Sequence, residues 1–372
     1  MSASTSKPQI PLQEIDPHEL KAWIKAQALQ LGFADCVIAR PDAQAELPRF
    51  KEYLKRGYHG DMKFLEENLE KRANPVLLVP GTRSIICVRM NYLVETPKPR
   101  YVPDEPNNAI IARYARGRDY HKVMRGRLKT LAGLIKDRTG EFESRPFADS
   151  APVFEKSLAE NAGMGWTGKH TLLIHKKSGS FFVLGELFTS LDLPFDEPAT
   201  AHCGSCTACI DICPTQAIVE PYMLDARKCI AYLTIEYKGI IPEELRRGIG
   251  NRVFGCDDCQ LICPWNSFAK KASIDDFNPR HDLDRLTLLD LWHWDETTFL
   301  NCTEGSPIRR TGYQSFMRNI AIGLGNAPYS QQIIDALQHN RALHDDIVQI
   351  HIDWAIAEQL SKRTGLNLKN KG

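Results

Sequence analysis

The chain has 372 residues with 43% hydrophobic and 25% charged side chains, the proportions of an ordinary folded protein of two or three domains. Lys and Arg number 47 and Asp and Glu 46, so the formal charge is +1, and any attraction to nucleic acid or to a membrane surface must come from a local patch. No apolar run approaches the ~20 residues that cross a bilayer, and the first ten residues lack the apolar core of a secretory signal, so we expect a cytoplasmic protein.

The N-terminal part of the chain predicts one helix and two strands. Residues 17–31 carry apolar side chains at helical spacing, and Gly32 follows as a stop signal. Residues 33–40 and 83–94 are rich in apolar and β-branched side chains, so both predict strands, the second of them buried. Cys87, within the second strand, is expected to be a small core residue.

A proline-rich stretch and a basic stretch come next. Residues 95–108 hold four prolines and predict a surface loop. A helix is predicted over about 119–137, and residues 112–138 carry nine Lys and Arg against two Asp, a local charge of +7. Such a stretch is either the solvated face of a helix or one side of an anion-binding surface.

Asp149 ends the next predicted strand, residues 144–149. Ser150 can cap a helix and Pro152 fits a first helical turn, so a helix is predicted from there to about residue 162. The Gly-rich piece that follows has the spacing of neither a phosphate-binding loop nor a dinucleotide fingerprint.

These elements divide the chain into three predicted domains. Residues 1–200 mix helices and strands and predict an α/β (α+β) domain with antiparallel hairpins. Residues 201–270 hold a block of cysteines. Residues 285–372 contain three helical segments, which predict a short helical-repeat array.

Eight of the 11 cysteines fall between residues 203 and 263. The first run has the spacing Cys-x2-Cys-x2-Cys-x3-Cys-Pro, which is that of a bacterial ferredoxin cubane site. The second run, Cys-x2-Cys-x3-Cys-Pro, has one cysteine fewer, and Cys229 can supply the missing ligand. Because no export signal is expected, metal ligation explains the cysteines better than disulfides do.

Two four-iron clusters would use all eight thiolates. In two-cluster ferredoxins the last cysteine of a run serves the other cluster, and this rule assigns the ligands. Cluster one takes Cys203, Cys206, Cys209 and Cys263. Cluster two takes Cys213, Cys229, Cys256 and Cys259. Two structural zinc sites are the alternative, since zinc also accepts four thiolates.

The sequence resembles the epoxyqueuosine reductases over most of its length. The resemblance is carried by the two cysteine runs and, in the same order and spacing as in the family, by residues 112–128, 147–174, 237–266 and 306–326. More distantly, the layout is similar to that of corrinoid reductive dehalogenases, which also feed a cobalamin from two cubane clusters.

The resemblance implies a fold, two kinds of cofactor and a reaction. The N-terminal domain would be a nitroreductase-like frame that holds base-off cobalamin, with no protein side chain on the cobalt. The cysteine block would be a ferredoxin-like domain with two [4Fe-4S] clusters, and the C-terminal helices a HEAT-like repeat that grips tRNA. The reaction would reduce epoxyqueuosine to queuosine and water at the wobble position of tRNA, the last step of queuosine biosynthesis.

Asp149 is the candidate proton donor, because cleavage of an epoxide C–O bond leaves an oxygen that needs a proton. It matches the position of the donor proposed for the family. Donation near neutral pH requires a raised pKa, and we expect desolvation beneath the corrin ring to raise the pKa of Asp149. The alternative is that Asp149 merely caps a helix.

The resemblance also places residues around the cobalamin. They are Arg72, Ala112, Asp149 and Lys169, of which Arg72 and Lys169 can meet its phosphate or amide groups. Further candidates, each of which could equally belong to the core or the rim, are Tyr120, His121, Trp166 and Thr171.

A tRNA substrate requires basic surface near the site. One predicted set lies beside the second cysteine run: Tyr237, Lys238, Arg246, Arg247 and Arg252. Another lies on one predicted helix of the C-terminal array: Arg309, Arg310 and Arg318. We expect a monomer that receives electrons from a donor which the sequence does not name.

Two other functions stay open at this point. One is a corrinoid reductase of a small molecule, resembling a reductive dehalogenase, which the basic patches and the missing export signal disfavour. The other is an electron-transfer or nucleic-acid-binding iron–sulfur protein without catalysis, which bound corrin would exclude.

Overall fold

The computed structural model describes residues 15–95 and 105–363, so part of the predicted proline-rich loop lies outside the described residues. The α-helices of the first 200 residues are α1 (Pro17–Gln30), α2 (Leu47–Lys55), α3 (Leu69–Ala73), α4 (Pro75–Leu78), α5 (Tyr120–Thr139) and α6 (Glu155–Asn161). Those that follow are α7 (Ala208–Asp211), α8 (Ile230–Ile235), α9 (Glu243–Ile249), α10 (Asp258–Leu261), α11 (Leu288–Trp292), α12 (Glu296–Cys302), α13 (Tyr313–Asn326), α14 (Gln331–Asn340) and α15 (Asp346–Arg363).

The strands are fewer and mostly short. They are β1 (Asp35–Ala39), β2 (Ser84–Asn91), β3 (Ile110–Ile111), β4 (Ser144–Phe147), β5 (Trp166–Thr167), β6 (Leu173–Ile174), β7 (Phe182–Thr189), β8 (Ile218–Glu220), β9 (Met223–Leu224) and β10 (Arg252–Phe254). Among the described residues, no helix is both long and apolar enough to span a membrane.

A four-stranded antiparallel sheet organises the N-terminal part, with the order β1-β2-β7-β4. Alternate residues of β2 point to opposite faces, so Ile86 packs with α1 and α5 while Ile85 packs with α6. Helices therefore cover both faces, and every residue of β2 is buried, as its continuous apolar run predicts. The predicted helices at residues 17–31 and 119–137 are confirmed as α1 and α5.

The predicted start of the helix after Asp149 is wrong. Helix α6 begins only at Glu155, and residues 148–154 form an irregular loop. The Ser150 hydroxyl turns back toward the Ala148 carbonyl at 3.4 Å instead of capping a helix. Asp149 has a left-handed backbone with φ of 60°, which no helical first turn contains.

The cysteine region is built from short pieces. Helices α7 and α10 lie inside the first and second cysteine runs and contact each other, which brings the two runs together. Strand β10, just before the second run, pairs in parallel with β3 of the N-terminal part. The cysteine region is thus attached to the segment that leads into α5.

The C-terminal part is helical, as predicted, and α13 and α15 form its centre. The first of the three predicted helical segments, residues 306–326, is interrupted: residues Pro307–Thr311 form a 3-10 turn, and Gly312, with φ of 79°, separates it from α13. The same hydrophobic core contains Ile111 and Leu233, so the array is packed against the segments around β3 and α8.

Candidate proton-donor and iron–sulfur site

Asp149 lies in the loop between β4 and α6. Its carboxylate is 54% exposed. Its backbone N–H donates to Glu155 Oε1 at 2.5 Å. A left-handed backbone costs a non-glycine residue about 1–3 kcal/mol, so this conformation persists only because the neighbouring contacts hold it.

Two residues at the start of α5 converge on the Asp149 carboxylate. Tyr120 donates its hydroxyl to Asp149 Oδ2, and His121 Nε2 lies 3.2 Å from the same oxygen. The other ring nitrogen of His121 lies 2.7 Å from Asp119 Oδ1. Because each nitrogen faces a carboxylate oxygen, both can be satisfied only when both carry hydrogen, that is, as imidazolium.

The hydrogen bonds among Asp119, His121 and Asp149 favour a proton on His121 and a charged carboxylate on Asp149. Burial opposes charge on His121, but the hydrogen bonds to Asp119 and Asp149 outweigh it and raise the pKa of His121 to about 9. Burial also acts to raise the pKa of Asp149, yet the hydrogen bonds from His121 and Tyr120 leave it below its ordinary value. In the protein without cobalamin, these neighbours therefore stabilise the Asp149 carboxylate, and the raised pKa expected beneath a corrin ring stays a prediction.

Two further acids lie beneath this loop and were missed by the sequence analysis. Glu186, in the middle of β7, is fully buried, and within the described residues neither of its carboxyl oxygens has a hydrogen-bond partner. Burial and the neighbouring Glu155 raise the pKa of Glu186 well above its ordinary value. Burial and the charge of Asp149 raise the pKa of Glu155 to about 7. The available signal was a lone acid in the apolar stretch FFVLGELF.

A cavity of about 660 Å³ opens beside Asp149 and is also lined by Arg72, Glu155 and aromatic side chains. The Arg72 guanidinium is 8% exposed, donates to the Phe64 carbonyl at 3.1 Å and lies over the Phe50 ring. A neighbouring cavity of about 240 Å³ shares part of this lining and reaches Thr171. The lining combines three aromatic rings with a larger number of polar and charged side chains, which fits a large cofactor that carries both a ring face and polar side groups.

Two of the predicted cobalamin contacts line neither of these cavities. Ala112 is 1% exposed, and its N–H donates to the Phe254 carbonyl at 2.8 Å. Lys169 Nζ donates to the carbonyls of Gly204 and Cys206 at 2.8 and 2.9 Å, so its amine fastens the loop of the first cysteine run. Trp166, also a candidate, is buried, and its ring lies 4.9 Å from that of Trp265 beside that run.

The four cysteines assigned to cluster one border a single cavity of about 90 Å³. Cys203, Cys206 and Cys209 come from the first run and Cys263 from the second. Cys263 therefore crosses to the first run, as the ferredoxin rule predicts. Burial raises the pKa of Cys209 to about 11, so an electropositive group must stabilise its thiolate.

The cysteines assigned to cluster two lie deeper. Burial raises the pKa of Cys256 and Cys259 well above the ordinary value. Cys229 is close enough to both for its charge to act on them, and Cys213 acts on Cys229. Within residues 15–95 and 105–363, no three His, Cys, Asp or Glu side chains stand close enough to hold one metal ion.

All five residues of the predicted set around 237–252 make hydrogen bonds or ion pairs within the protein, and their contact with tRNA stays a prediction. Arg246 is 5% exposed and donates to the Ile241 carbonyl at 2.9 Å. Lys238 Nζ donates to the carbonyls of Ile235 and Thr311, both at 2.9 Å.

The remaining members of this set also have partners within the protein, although the Arg247 side chain is 55% exposed. Tyr237 donates its hydroxyl to the Ile240 carbonyl at 3.1 Å. Arg247 pairs with Glu358 at 2.7 Å. The buried Arg252 pairs with Asp258.

The C-terminal arginines divide into one buried and two exposed residues. Arg318 is 1% exposed and donates to the carbonyls of Leu233, Tyr237 and Gly239, so it is no phosphate contact. Arg309 is exposed and donates to the Leu300 carbonyl. Arg310 is exposed and has neither a hydrogen bond nor an ion pair in the described part of the chain.

Arg310 lies near the proton-donor group, because its charge lowers the pKa of both Asp149 and Asp119. The segment that carries it is fixed: the Gly305 carbonyl accepts from Asp119 N at 2.7 Å, and the Thr311 carbonyl accepts from Lys238. The C-terminal part thus places the exposed guanidinium of Arg310 near Asp149.

The fold and the site together define an iron–sulfur protein with an aspartate, Asp149, held by Tyr120 and His121 beside a large cavity. Residues 202–266 match the family model "4Fe-4S double cluster binding domain", which confirms the two-cluster expectation, and residues 72–150 match "Epoxyqueuosine reductase QueG, DUF1730". The chain is 50% identical over 361 residues to the epoxyqueuosine reductase of Xanthomonas campestris, covering 96% of this chain and 99% of that protein. It is 47% identical over 351 residues to that of Escherichia coli, covering 94% and 92%.

Solved structures agree with these sequence relatives. An epoxyqueuosine reductase crystallised with a stem loop of epoxyqueuosine-modified tRNA-Tyr has a TM-score of 0.84 and 26% identity over 96% of both chains. A Bacillus subtilis epoxyqueuosine reductase has a TM-score of 0.83 and 25% identity over 96% of both chains, with its catalytic aspartate loop swung out of the active site. The chain belongs to the epoxyqueuosine reductase family.

Proposed function

We propose that the chain reduces epoxyqueuosine to queuosine in tRNA. The observation that carries the proposal is the Asp149 carboxylate, held by Tyr120 and His121 at the mouth of a large cavity in a protein with two iron–sulfur sites. Removal of the epoxide oxygen as water takes two electrons and two protons. In the proposal, the clusters of the cysteine region deliver the electrons, and Asp149 with its neighbours donates one of the protons.

The family depends on cobalamin and iron–sulfur clusters, and the residues present fit both. Bound cobalamin supplies the cobalt centre that passes electrons to the substrate. In the proposal, Arg72 and Thr171 contact cobalamin from the two adjoining cavities, and the aromatic lining excludes water from it. The ligand sets of the two clusters remain as assigned from the sequence, with Cys263 crossing to the first run.

The chain's own residues hold the proton for the reaction. His121 carries it at neutral pH because its pKa is about 9, and its Nε2–H is aimed at Asp149 Oδ2. Asp149, exposed at the cavity, passes this proton to the substrate oxygen, and Asp119 keeps the imidazole oriented from behind. Asp149 thus remains the catalytic residue, with His121 as its proton source.

In this proposal, fewer residues contact tRNA than the sequence predicted. Arg310, exposed next to Asp149, contacts a phosphate beside the wobble nucleotide. Arg246 and Lys238 act as struts that hold backbone carbonyls. A splayed-out anticodon base reaching into the cavity suits the way proteins bind single-stranded nucleotides.

The remaining features of the proposal concern architecture and context. The sheet with helices on both faces supports a nitroreductase-like frame over residues 1–200, and the packed helices of residues 285–372 support a HEAT-like array, with a ferredoxin-like domain over residues 201–270 between them. The protein works as a cytoplasmic monomer with a separate electron donor. We also infer that the loop of residues 148–154 can swing outward, as in the Bacillus subtilis relative.

An anaerobic assay with added cobalamin, a chemical reductant and epoxyqueuosine-containing tRNA tests the proposal, with the nucleosides identified by mass. We expect loss of the mass of one oxygen atom from the modified nucleoside. Asp149→Asn should bind cobalamin and tRNA yet turn over about 10²–10⁴ times more slowly. Wild-type rates from this variant would remove Asp149 as the proton donor, and reduction of a halogenated small molecule in place of tRNA would favour the dehalogenase-like alternative.

A further inference from the structure

The loop of Asp149 is held by two different contacts. On the side-chain side, Tyr120 and His121 bind the carboxylate that the proposed function uses. On the backbone side, the Asp149 N–H donates to Glu155 Oε1 at 2.5 Å. Glu155 is therefore a second anchor, and it lies six residues away at the first turn of α6.

Asp149 needs such an anchor because its backbone is strained. With φ of 60° it occupies a region that L-residues rarely adopt unless the surroundings impose it. A hydrogen bond from N–H to an ionised carboxylate is about twice as strong as one between neutral groups. Loss of the negative charge on Glu155 would therefore weaken the contact that opposes relaxation of the loop.

Glu155 lies close to a second acid, Glu186, and this proximity makes the charge of Glu155 dependent on pH. Glu186 is fully buried on β7, opposite Phe147 of β4 in the sheet register, directly below the loop. Burial raises the pKa of both acids, and for Glu186 the charge of Glu155 raises it further. The other titratable groups that interact electrostatically with the pair are Cys87, Tyr120, His121, Asp149 and Lys156.

The order of ionisation follows from these surroundings. Full burial and the neighbouring Glu155 raise the pKa of Glu186 well above its ordinary value, so its charged form is disfavoured. The pKa of Glu155 is raised only to about 7, so Glu155 gains and loses its charge near neutral pH. Because Glu155 is an acid with a raised pKa, it is charged above about pH 7 and neutral below it.

We propose that Glu155, backed by Glu186, is a positioning residue for the proton-donor aspartate. Its carboxylate keeps the Asp149 loop turned toward Tyr120 and His121, and protonation of Glu155 lets the loop turn outward. Glu155 acts through the Asp149 N–H and not on the substrate. The inference rests on the proposed function, since it assigns a cause to the loop movement included there.

The first test is the pH profile of turnover by the loaded enzyme with modified tRNA. For the wild type, kcat should fall as the pH drops through about 7. This fall of kcat is the acid limb of the pH profile. Glu155→Gln, which keeps the shape of the side chain but not its charge, should lower kcat about tenfold at pH 8 and should lack the acid limb. Glu160→Gln, on the same helix, removes a carboxylate that accepts from Thr167, and it should keep the limb.

The second test measures the loop directly and needs no turnover. Hydrogen exchange of the peptide covering residues 148–154 in the holoenzyme, corrected for intrinsic rates, should be about tenfold faster at pH 6 than at pH 8. In Glu155→Gln the exchange should be fast at both values. Iron content equal to the wild type shows that the variant is folded.

The outcomes separate the two proposals. An acid limb retained by Glu155→Gln, or loop exchange in this variant that matches the wild type, would overturn the positioning role. Loss of the limb in Glu160→Gln would overturn it as well, because the effect would then belong to the helix. If exchange follows the expectation while no variant reduces modified tRNA, the positioning role stands and the proposed function fails.

Discussion

The cysteine sites and the Asp149 site encode their chemistry in different ways. Seven of the eight cluster cysteines lie in two compact runs, so spacing alone brings their sulfur atoms together. Asp149, by contrast, depends on Tyr120 and His121 from α5, on Glu155 from α6 and on Glu186 from β7. Substitution of a cluster ligand should therefore abolish turnover completely, whereas substitutions around Asp149 should lower it by degrees.

The strongest test of this comparison is removal of a cluster-two ligand. Cys259→Ser should abolish turnover, because the electron path is broken, and should reduce iron from about eight to about four atoms per chain. Cys302→Ser, outside both runs, is the matched control and should keep iron and activity. Graded activity in Cys259→Ser with full iron content would contradict the ligand assignment.

Removal of the proton source should have the next largest effect. His121→Gln should lower kcat roughly 10²-fold. In the wild type kcat should also fall as the pH rises through about 9, because the imidazolium then loses its proton, and the variant should lack this alkaline limb. Tyr120→Phe removes the other donor to Asp149 Oδ2 and should keep the limb. The same limb in both variants would assign the proton to another group.

A smaller effect is expected at the tRNA face. Arg310→Ala should raise KM for tRNA about tenfold with little change in kcat, and should reduce the salt slope of binding by about one. Arg309→Ala is the neighbouring control, since its guanidinium donates to the Leu300 carbonyl. An unchanged salt slope in Arg310→Ala would show that Arg310 contacts no phosphate.

The smallest expected effect is on stability, at Glu186. An acid whose pKa is raised by folding stabilises the protein at low pH and loses that contribution as the pH rises above its ordinary value of 4.5. Glu186→Gln does not titrate, so its thermal midpoint should exceed that of the wild type at pH 8 and approach it at pH 5. Each pKa unit of the shift corresponds to ~1.4 kcal/mol. A midpoint below that of the wild type at pH 8 would show that Glu186 is ionised in the folded state.

The sequence predicted those features that depend on local pattern. Helix α1 and strand β2 follow from apolar periodicity, and Cys263 crosses to the first run as the ferredoxin spacing requires. Family resemblance led to Asp149 and, less firmly, to Tyr120 and His121, which the structure brings onto one carboxylate oxygen.

The sequence could not predict features that depend on which partner a side chain meets. Arg246 and Arg318 count as positive charges in any sequence analysis, yet their guanidinium groups are buried on backbone carbonyls. Lys169, a predicted cobalamin contact, donates to two carbonyls of the first cysteine run, and the sequence does not show this pairing. The lowered pKa of Asp149 in the protein without cobalamin depends on hydrogen bonds from His121 and Tyr120, whose distances the sequence does not show.

The buried pair Arg318 and Asn319 has a consequence for dissecting this protein. Its side chains donate to the carbonyls of Leu233 and Thr234, which follow Cys229, and of Val253, which precedes the second cysteine run. Deleting the C-terminal helices would leave these carbonyls unsatisfied, at about 1–3 kcal/mol each where no water reaches them. A truncated chain should therefore lose stability in the cysteine region as well, so that the contribution of the C-terminal helices is better tested by single-residue exchanges on their outer surface.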